Sequence, residues 1–232
     1  MHIAISVPPV TPGEGRVRSF GILSTFPPTS CGIATFSAAL SAGLIATGAS
    51  VDVVRVGPPP EFEDVLVVAS LDGRTPARRA AATDALNADD VVIVQHEYGL
   101  YDGPDGESII ELMAAIDVPI VVVAHTVLSH PTTNQRRVLE QVCAAADAVV
   151  VMTETARTRL IEGFDVDHSK VTLIPHGATT PPATPTDTPM ADRRRPGEPA
   201  RLLTWGLLGP GKGIEWAIDA MSEFSDLDPH PE

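Results

Sequence analysis

Apolar residues recur along this chain in two alternating rhythms. Short unbroken runs of Val, Ile and Leu predict buried strands at Ser19–Phe26, Ser50–Gly57, Asp64–Ser70, Asp90–Glu97, Pro119–Thr126, Asp147–Thr153 and Lys170–Gly177. Between them lie longer segments of helical period. The first, Cys31–Gly48, carries Ile33, Phe36, Leu40 and Leu44 at helical spacing. Others are predicted at Pro76–Ala88, Asp105–Ile116, Thr132–Ala146 and Glu154–Phe164. Strands that are apolar throughout, each bracketed by helices, predict a parallel sheet covered on both faces. The expected fold is therefore a doubly wound α/β domain of the Rossmann kind. Such a fold hosts many chemistries, so function has to come from particular residues.

The rhythm stops at Gly177. Residues 178–200 (ATTPPATPTDTPMADRRRPGEPA) are rich in Pro and Thr, with no apolar period, and read as a linker. A new strand is expected from Arg201 (RLLTWGLL), then a glycine-rich turn and a helix (GPGKGIEWAIDAM). The expected organisation is 1–177 as one domain, 178–200 as linker and 201–232 as the start of a second α/β domain. One strand and one helix bury too little to stand alone.

Composition narrows the functions. The chain has 232 residues, 44% of them hydrophobic, which suffices for a core. Its formal net charge of −14 argues against nucleic acid as a partner and against a polybasic membrane anchor. No run approaches the ~20 apolar residues of a membrane span. The opening HIAISVPPV is too short and proline-broken for a signal peptide. The two cysteines, Cys31 and Cys143, form neither a disulfide framework nor a metal spacing, so a cytoplasmic location is expected. The Arg-for-Lys, Ala-rich usage fits a GC-rich bacterial genome.

In open α/β sheets ligands bind beyond the carboxyl ends of the strands, so the polar residues there are the candidates. They are STFPPTSCG after the first strand, with Cys31 and Gly32; QHEYG, with His96 and Glu97; AHT, with His125; MTET; PHG, with His176 and Gly177; and GPGKG, with Gly211, Lys212 and Gly213. His96, His125 and His176 are expected to line one edge. Each histidine fits a structural hydrogen bond as well as a ligand contact. Gly32 at a helix start lets a ligand approach the backbone, where free amides attract anions, and fits a plain tight turn equally. It is no dinucleotide fingerprint, since no G-x-G-x-x-G follows Phe26. Lys212, one of only two lysines, sits among glycines at a helix start, where ammonium, amides and helix dipole converge on one anion. The spacing is not that of a Walker A loop.

Taken together and in order, STFPPTSCGIATF, QHEYGLYDG, VVVAHTVL, VVVMTET, VTLIPHG and TWGLLGPGKGIEWAI resemble retaining glycosyltransferase family 4. The resemblance runs from about Arg18 to Met221. It implies the two-domain GT-B fold, with acceptor mostly on the N-terminal domain, a nucleotide-diphosphate sugar on the C-terminal one, and reaction in the cleft between. It also implies that Gly32 lies near the donor phosphates and acceptor, that His125 contacts the transferring sugar, and that Lys212 binds the donor pyrophosphate with Gly211 and Gly213 around it. Cys31, His96, Glu97, His176 and Gly177 would line the acceptor side or cleft. A lysine and helix amides aimed at the leaving diphosphate stabilise its growing charge, so no metal or other cofactor is expected.

Two features depart from the family pattern. Leu207 stands where an arginine often precedes the lysine, and the family's E-x7-E acidic motif does not occur before Glu232. The expectation is a truncated transferase, inactive or partial as this chain, with donor sugar and base unspecified. Two other classes compete: a non-catalytic module binding a glycan or partner, and a metal-dependent hydrolase built from strand-end histidines with Glu97 and Asp102.

Overall fold

The structure is a computed structural model and describes residues 17–59, 64–72, 75–177, 202–204 and 213–223. The chain divides into two units, Met1–Gly177 and Ala178–Glu232.

The first unit is a Rossmann-like α/β domain. Its strands are β1 (Ser19–Ser24), β2 (Ser50–Val56), β3 (Val67–Leu71), β4 (Val91–His96), β5 (Ile120–Ala124), β6 (Ala148–Val151) and β7 (Val171–Leu173). Its helices are α1 (Gly32–Ala46), α2 (Pro76–Leu86), α3 (Ser108–Met113), α4 (Thr133–Ala145) and α5 (Glu154–Gly163). Among the described residues seven strands form one sheet in the order β3-β2-β1-β4-β5-β6-β7. Every pairing is parallel. The chain leaves β1 in one direction and returns through β4 in the other, so the gap between these strands is the topological switch point.

Strand parity sorts the core into two layers. Leu23, Val54, Val92, Val94, Val122 and Val149 point to a face packed by α2, α3, α4 and α5 through Leu86, Leu112, Leu139 and Leu160. Ile22, Val53, Ile93 and Val123 point to the opposite face, where Phe36, Leu40 and Leu44 of α1 pack. The covering of the two faces is thus unequal.

Helix α1 also sits differently from expectation. Its fully buried residues are Ala34, Ser37 and Ser41, while Ile33, Phe36, Leu40 and Leu44 are only partly covered. Small side chains let the helix lie close on the sheet. Ser37 Oγ meets Ser24 Oγ at 2.7 Å, and Ser41 Oγ donates to the Ser37 carbonyl at 2.8 Å, so all three buried hydroxyls are satisfied. Helix α4 begins with a capping box between Thr132 and Gln135. The Asp105–Ile116 segment starts with a 3₁₀ turn at Pro104–Gly106, where Asp105 has φ of 54°. Asp105 Oδ2 accepts from Asn134 Nδ2 at 2.7 Å, which suits an Asp in that left-handed position.

In the second unit α6 (Ile214–Ser222) follows Gly213, whose φ of 72° favours glycine. Leu202–Thr204 form no strand, and the rest of the strand expected from Arg201 lies outside the described residues. So do residues 178–200, Gly211 and Lys212. Trp216 is 74% exposed. Among the described residues no helix is long and apolar enough to cross a membrane.

Candidate functional site at the switch point

The carboxyl ends of β1, β4 and β5 bring their following loops together. The β1 loop turns through Phe26–Ser30 into α1, with a cis peptide between Pro27 and Pro28. Arg55, at the end of β2 and 5% exposed, braces this loop. Its Nε donates to the Phe26 carbonyl at 3.2 Å and its Nη2 to Thr29 Oγ1 at 2.7 Å.

Cys31 is the N-cap of α1. Its Sγ accepts from the Ala34 amide at 3.3 Å and lies 3.1 Å from Thr25 Oγ1. The amides of Gly32 and Ile33, at the open start of the helix, have no protein partner among the described residues. A Cβ on Gly32 would meet nothing within 4 Å, and the residue is exposed. Neither packing nor a positive φ demands glycine there. What it provides is room for a ligand against the backbone, beside two free amides at the positive end of a helix.

One turn along, Phe36 presents its ring to two histidines. His125 lies edge-on at 5.1 Å between centroids, and His176 at 5.2 Å. His125 follows β5 on the α1 side. Its Nε2 lies 2.7 Å from Oε1 of Gln95, which is wholly buried on the neighbouring strand β4. Burial holds the His125 pKa below the usual histidine range, the Glu97 carboxylate acts against this, and the nearby His176 adds to it. His176 Nδ1 donates to the Gly177 carbonyl at 2.6 Å. Glu97 is anchored by two donors, the Thr126 hydroxyl at 2.5 Å and the Tyr98 amide at 3.0 Å.

His96 does not join this edge. It is 1% exposed and follows the parity of Val94, so its ring packs edge-on to Tyr98 at 5.3 Å among α3 and α4. Burial, helped by His125, lowers its pKa to about 4, so it stays neutral at physiological pH. The expectation that three histidines share one opening is corrected to two. Gln95, which sequence reasoning passed over, takes the place beside His125. The strand period alone does not reveal this: it takes the pairing of β4 with β5 to put Gln95, not His96, on the face of His125.

Two further openings lie nearby. A cleft of about 250 Å³ lies beyond the ends of β2 and β3. Val56, Leu71, Leu100 and Leu112 supply its apolar walls, and Asp102, Ser108 and Arg79 its polar ones. Tyr101 also lines it and ties it to the histidine site, since its hydroxyl donates to the Gln95 carbonyl at 2.7 Å. Arg79 is paired with Glu111, and Arg78 with Asp72. A shallower groove outside it includes Glu107 and Arg137, themselves paired. Among the described residues no group of three or more His, Cys, Asp or Glu side chains is arranged to hold a metal ion, so the strand-end histidines with Glu97 and Asp102 do not form such a centre.

The sequence model of Glycosyltransferase Family 4 matches residues 31–180, well over half of the chain. The chain belongs to glycosyltransferase family 4. No curated protein matches it. Among solved structures it is similar to an α-glucosyltransferase in complex with UDP and a 13-mer DNA holding a central A:G mismatch, with 16% identity, a TM-score of 0.42, and coverage of 59% of this chain and 37% of that one. A second such structure, with UDP and a 13-mer DNA containing an HMU base, has 16% identity, a TM-score of 0.49, and coverage of 70% of this chain and 43% of that one. The chain thus spans less than half the length of these proteins.

Proposed function

We propose that this chain supplies the acceptor side and part of the donor site of a retaining glycosyltransferase of GT-B architecture. In that reaction a hexose leaves a nucleotide diphosphate as its C1–O bond breaks, and C1 bonds to an acceptor hydroxyl whose proton is released. The observation that carries the reading is the pairing of the open α1 start, at Gly32 and Ile33, with His125 held at the switch point by Gln95. The amides and helix dipole suit a leaving diphosphate, and His125 suits a sugar hydroxyl beside it.

On the resemblance of TWGLLGPGKGIEWAI, Lys212 with Gly211 and Gly213 is assigned to binding a donor diphosphate. Lysine and amides supply the charge compensation without a metal or other cofactor. Cys31 acts through its cap, holding the helix start. Glu97, His176 and Gly177 border the sugar, while His96 supports the strand from behind. The acceptor, a glycan, lipid or small molecule, is placed in the 250 Å³ cleft that Tyr101 joins to Gln95. The net charge of −14 speaks against a nucleic-acid acceptor. The unpaired thiols Cys31 and Cys143 fit a cytoplasmic setting.

The test is titration calorimetry of the chain with UDP-glucose and GDP-mannose, with release of free sugar followed in parallel. One donor is expected to bind, with His125→Ala weakening it at least about tenfold while leaving the fold intact. No binding of either donor, or binding indifferent to His125, would overturn the reading.

A further inference from the structure

We infer that Gln95 is a positioning residue that fixes the tautomer of His125. The inference rests on the proposed role of His125 and adds to it the chemistry of the contact. The flipped amide would donate and put the ring proton on Nδ1, whereas with Oε1 as the amide atom at 2.7 Å from His125 Nε2, Gln95 accepts there and the ring proton sits on Nε2. Neutral His125 then carries no proton on Nδ1, which has no protein partner among the described residues and is not sealed from solvent. The ring therefore offers a lone pair to its ligand. It accepts a hydrogen bond from a sugar hydroxyl and does not donate one.

The other end of the amide supports a functional origin. Gln95 is 0% exposed and its Nε2 has no hydrogen-bond partner among the described residues. An apolar side chain of similar volume would avoid that loss, because unsatisfied buried donors destabilise a fold. Among the described residues the Gln95 side chain bonds to His125 and its amide nitrogen meets no partner. The strand places it: Gln95 pairs with Val123 of β5, two residues before His125 and on the same face. The Tyr101 hydroxyl holds the Gln95 carbonyl, so the strand end cannot drift away from the ring. The titratable groups acting on His125 are Glu97 after β4 and His176 after β7, and His125 in turn acts on His96 behind the sheet. Phe36 closes the α1 side with an uncharged ring edge. None of these contacts selects a tautomer, which leaves the task to Gln95.

The experiment is histidine-selective ¹⁵N NMR of the chain, which distinguishes protonated from unprotonated ring nitrogens. It is run across pH on wild type, Gln95→Leu and Gln95→Glu, with thermal unfolding of each. Wild-type His125 is expected to show a protonated Nε2 and an unprotonated Nδ1. Q95L is expected to keep or raise the melting temperature while His125 shows mixed tautomers. Q95E, whose carboxylate still accepts from Nε2, is expected to restore the Nε2-protonated form and raise the titration midpoint of His125. A wild-type ring protonated on Nδ1, or a tautomer unchanged in Q95L, overturns the inference. Donor titration of His125→Ala is read separately. Indifference there overturns the transferase reading and leaves the tautomer result standing.

Discussion

At the end of the sheet away from the site, Asp89 offers a quantitative test of how the fold is balanced. It sits just before β4 and is 5% exposed, and its Oδ2 has no hydrogen-bond partner among the described residues. The backbone crowds it as well: a Cβ on Gly21 of β1 would lie 3.0 Å from that oxygen. Burial, then the charges of Asp52 and Asp90, raise its pKa from 3.8 to about 6, against a hydrogen bond from Ser19. The native state therefore prefers the protonated acid. The corresponding stability is fully present below about pH 4 and is lost as pH rises through about 6.

A gap of roughly two pH units, at about 1.4 kcal/mol per unit, gives an upper figure near 3 kcal/mol, so 1–3 kcal/mol is a fair range. Asp89→Asn keeps the shape and removes the charge. It should gain about 1–3 kcal/mol at pH 7.5 and about nothing at pH 4. For a chain of this length each kcal/mol corresponds to about 2–4 °C in melting temperature. Urea unfolding of both proteins at pH 4, 5, 6 and 7.5 measures the difference. Only the difference is informative, because Asp90 and Asp167 have lowered pKa values and act in the opposite sense on acidification. A variant no more stable than wild type at pH 7.5, or a gain independent of pH, would refute the reasoning. Donor binding should be unchanged, since Asp89 lies at the amino ends of the strands.

The remaining predictions concern the site. Gly32→Ala should leave the melting temperature unchanged or slightly raised, by up to about 1 kcal/mol, because alanine suits a helix and meets no clash. It should nevertheless weaken donor binding in calorimetry; unaltered affinity would remove the donor phosphate from α1. Ser37→Ala should cost about 1–3 kcal/mol in chemical unfolding by stranding the buried Ser24 hydroxyl. The double variant Ser24→Ala/Ser37→Ala should recover much of that loss, and simple additivity would show that the two hydroxyls are not coupled.

Much of this molecule was legible one residue at a time. The Val- and Ile-rich runs around Val92–Val94 and Val121–Val123 can only be buried on both faces, because they offer no polar side. That alone requires a parallel sheet wrapped by helices. Glycine and small polar residues after those runs marked the strand ends, and with them Gly32 and His125. Amphipathic period was less informative in α1. There the large residues Phe36, Leu40 and Leu44 suggested a buried stripe, yet Ala34, Ser37 and Ser41 touch the sheet, because close approach rewards small side chains over hydrophobic ones.

Local pattern had no means of deciding which way QHE points. In a strand buried on both sides, polarity does not mark the faces, and adjacent residues are chemically free to take either one. Only the pairing of β4 with β5 settles that Gln95 looks toward α1 and His125 while His96 is sealed among α3 and α4. Asp89 tells the same story at the other end. Its acidity depends on Asp52, 37 positions earlier in the chain and brought close only because β1 pairs with both β2 and β4. Elements follow from short-range period and propensity. Partners, tautomers and pKa values belong to contacts across the sheet, which exist only once the strand order does.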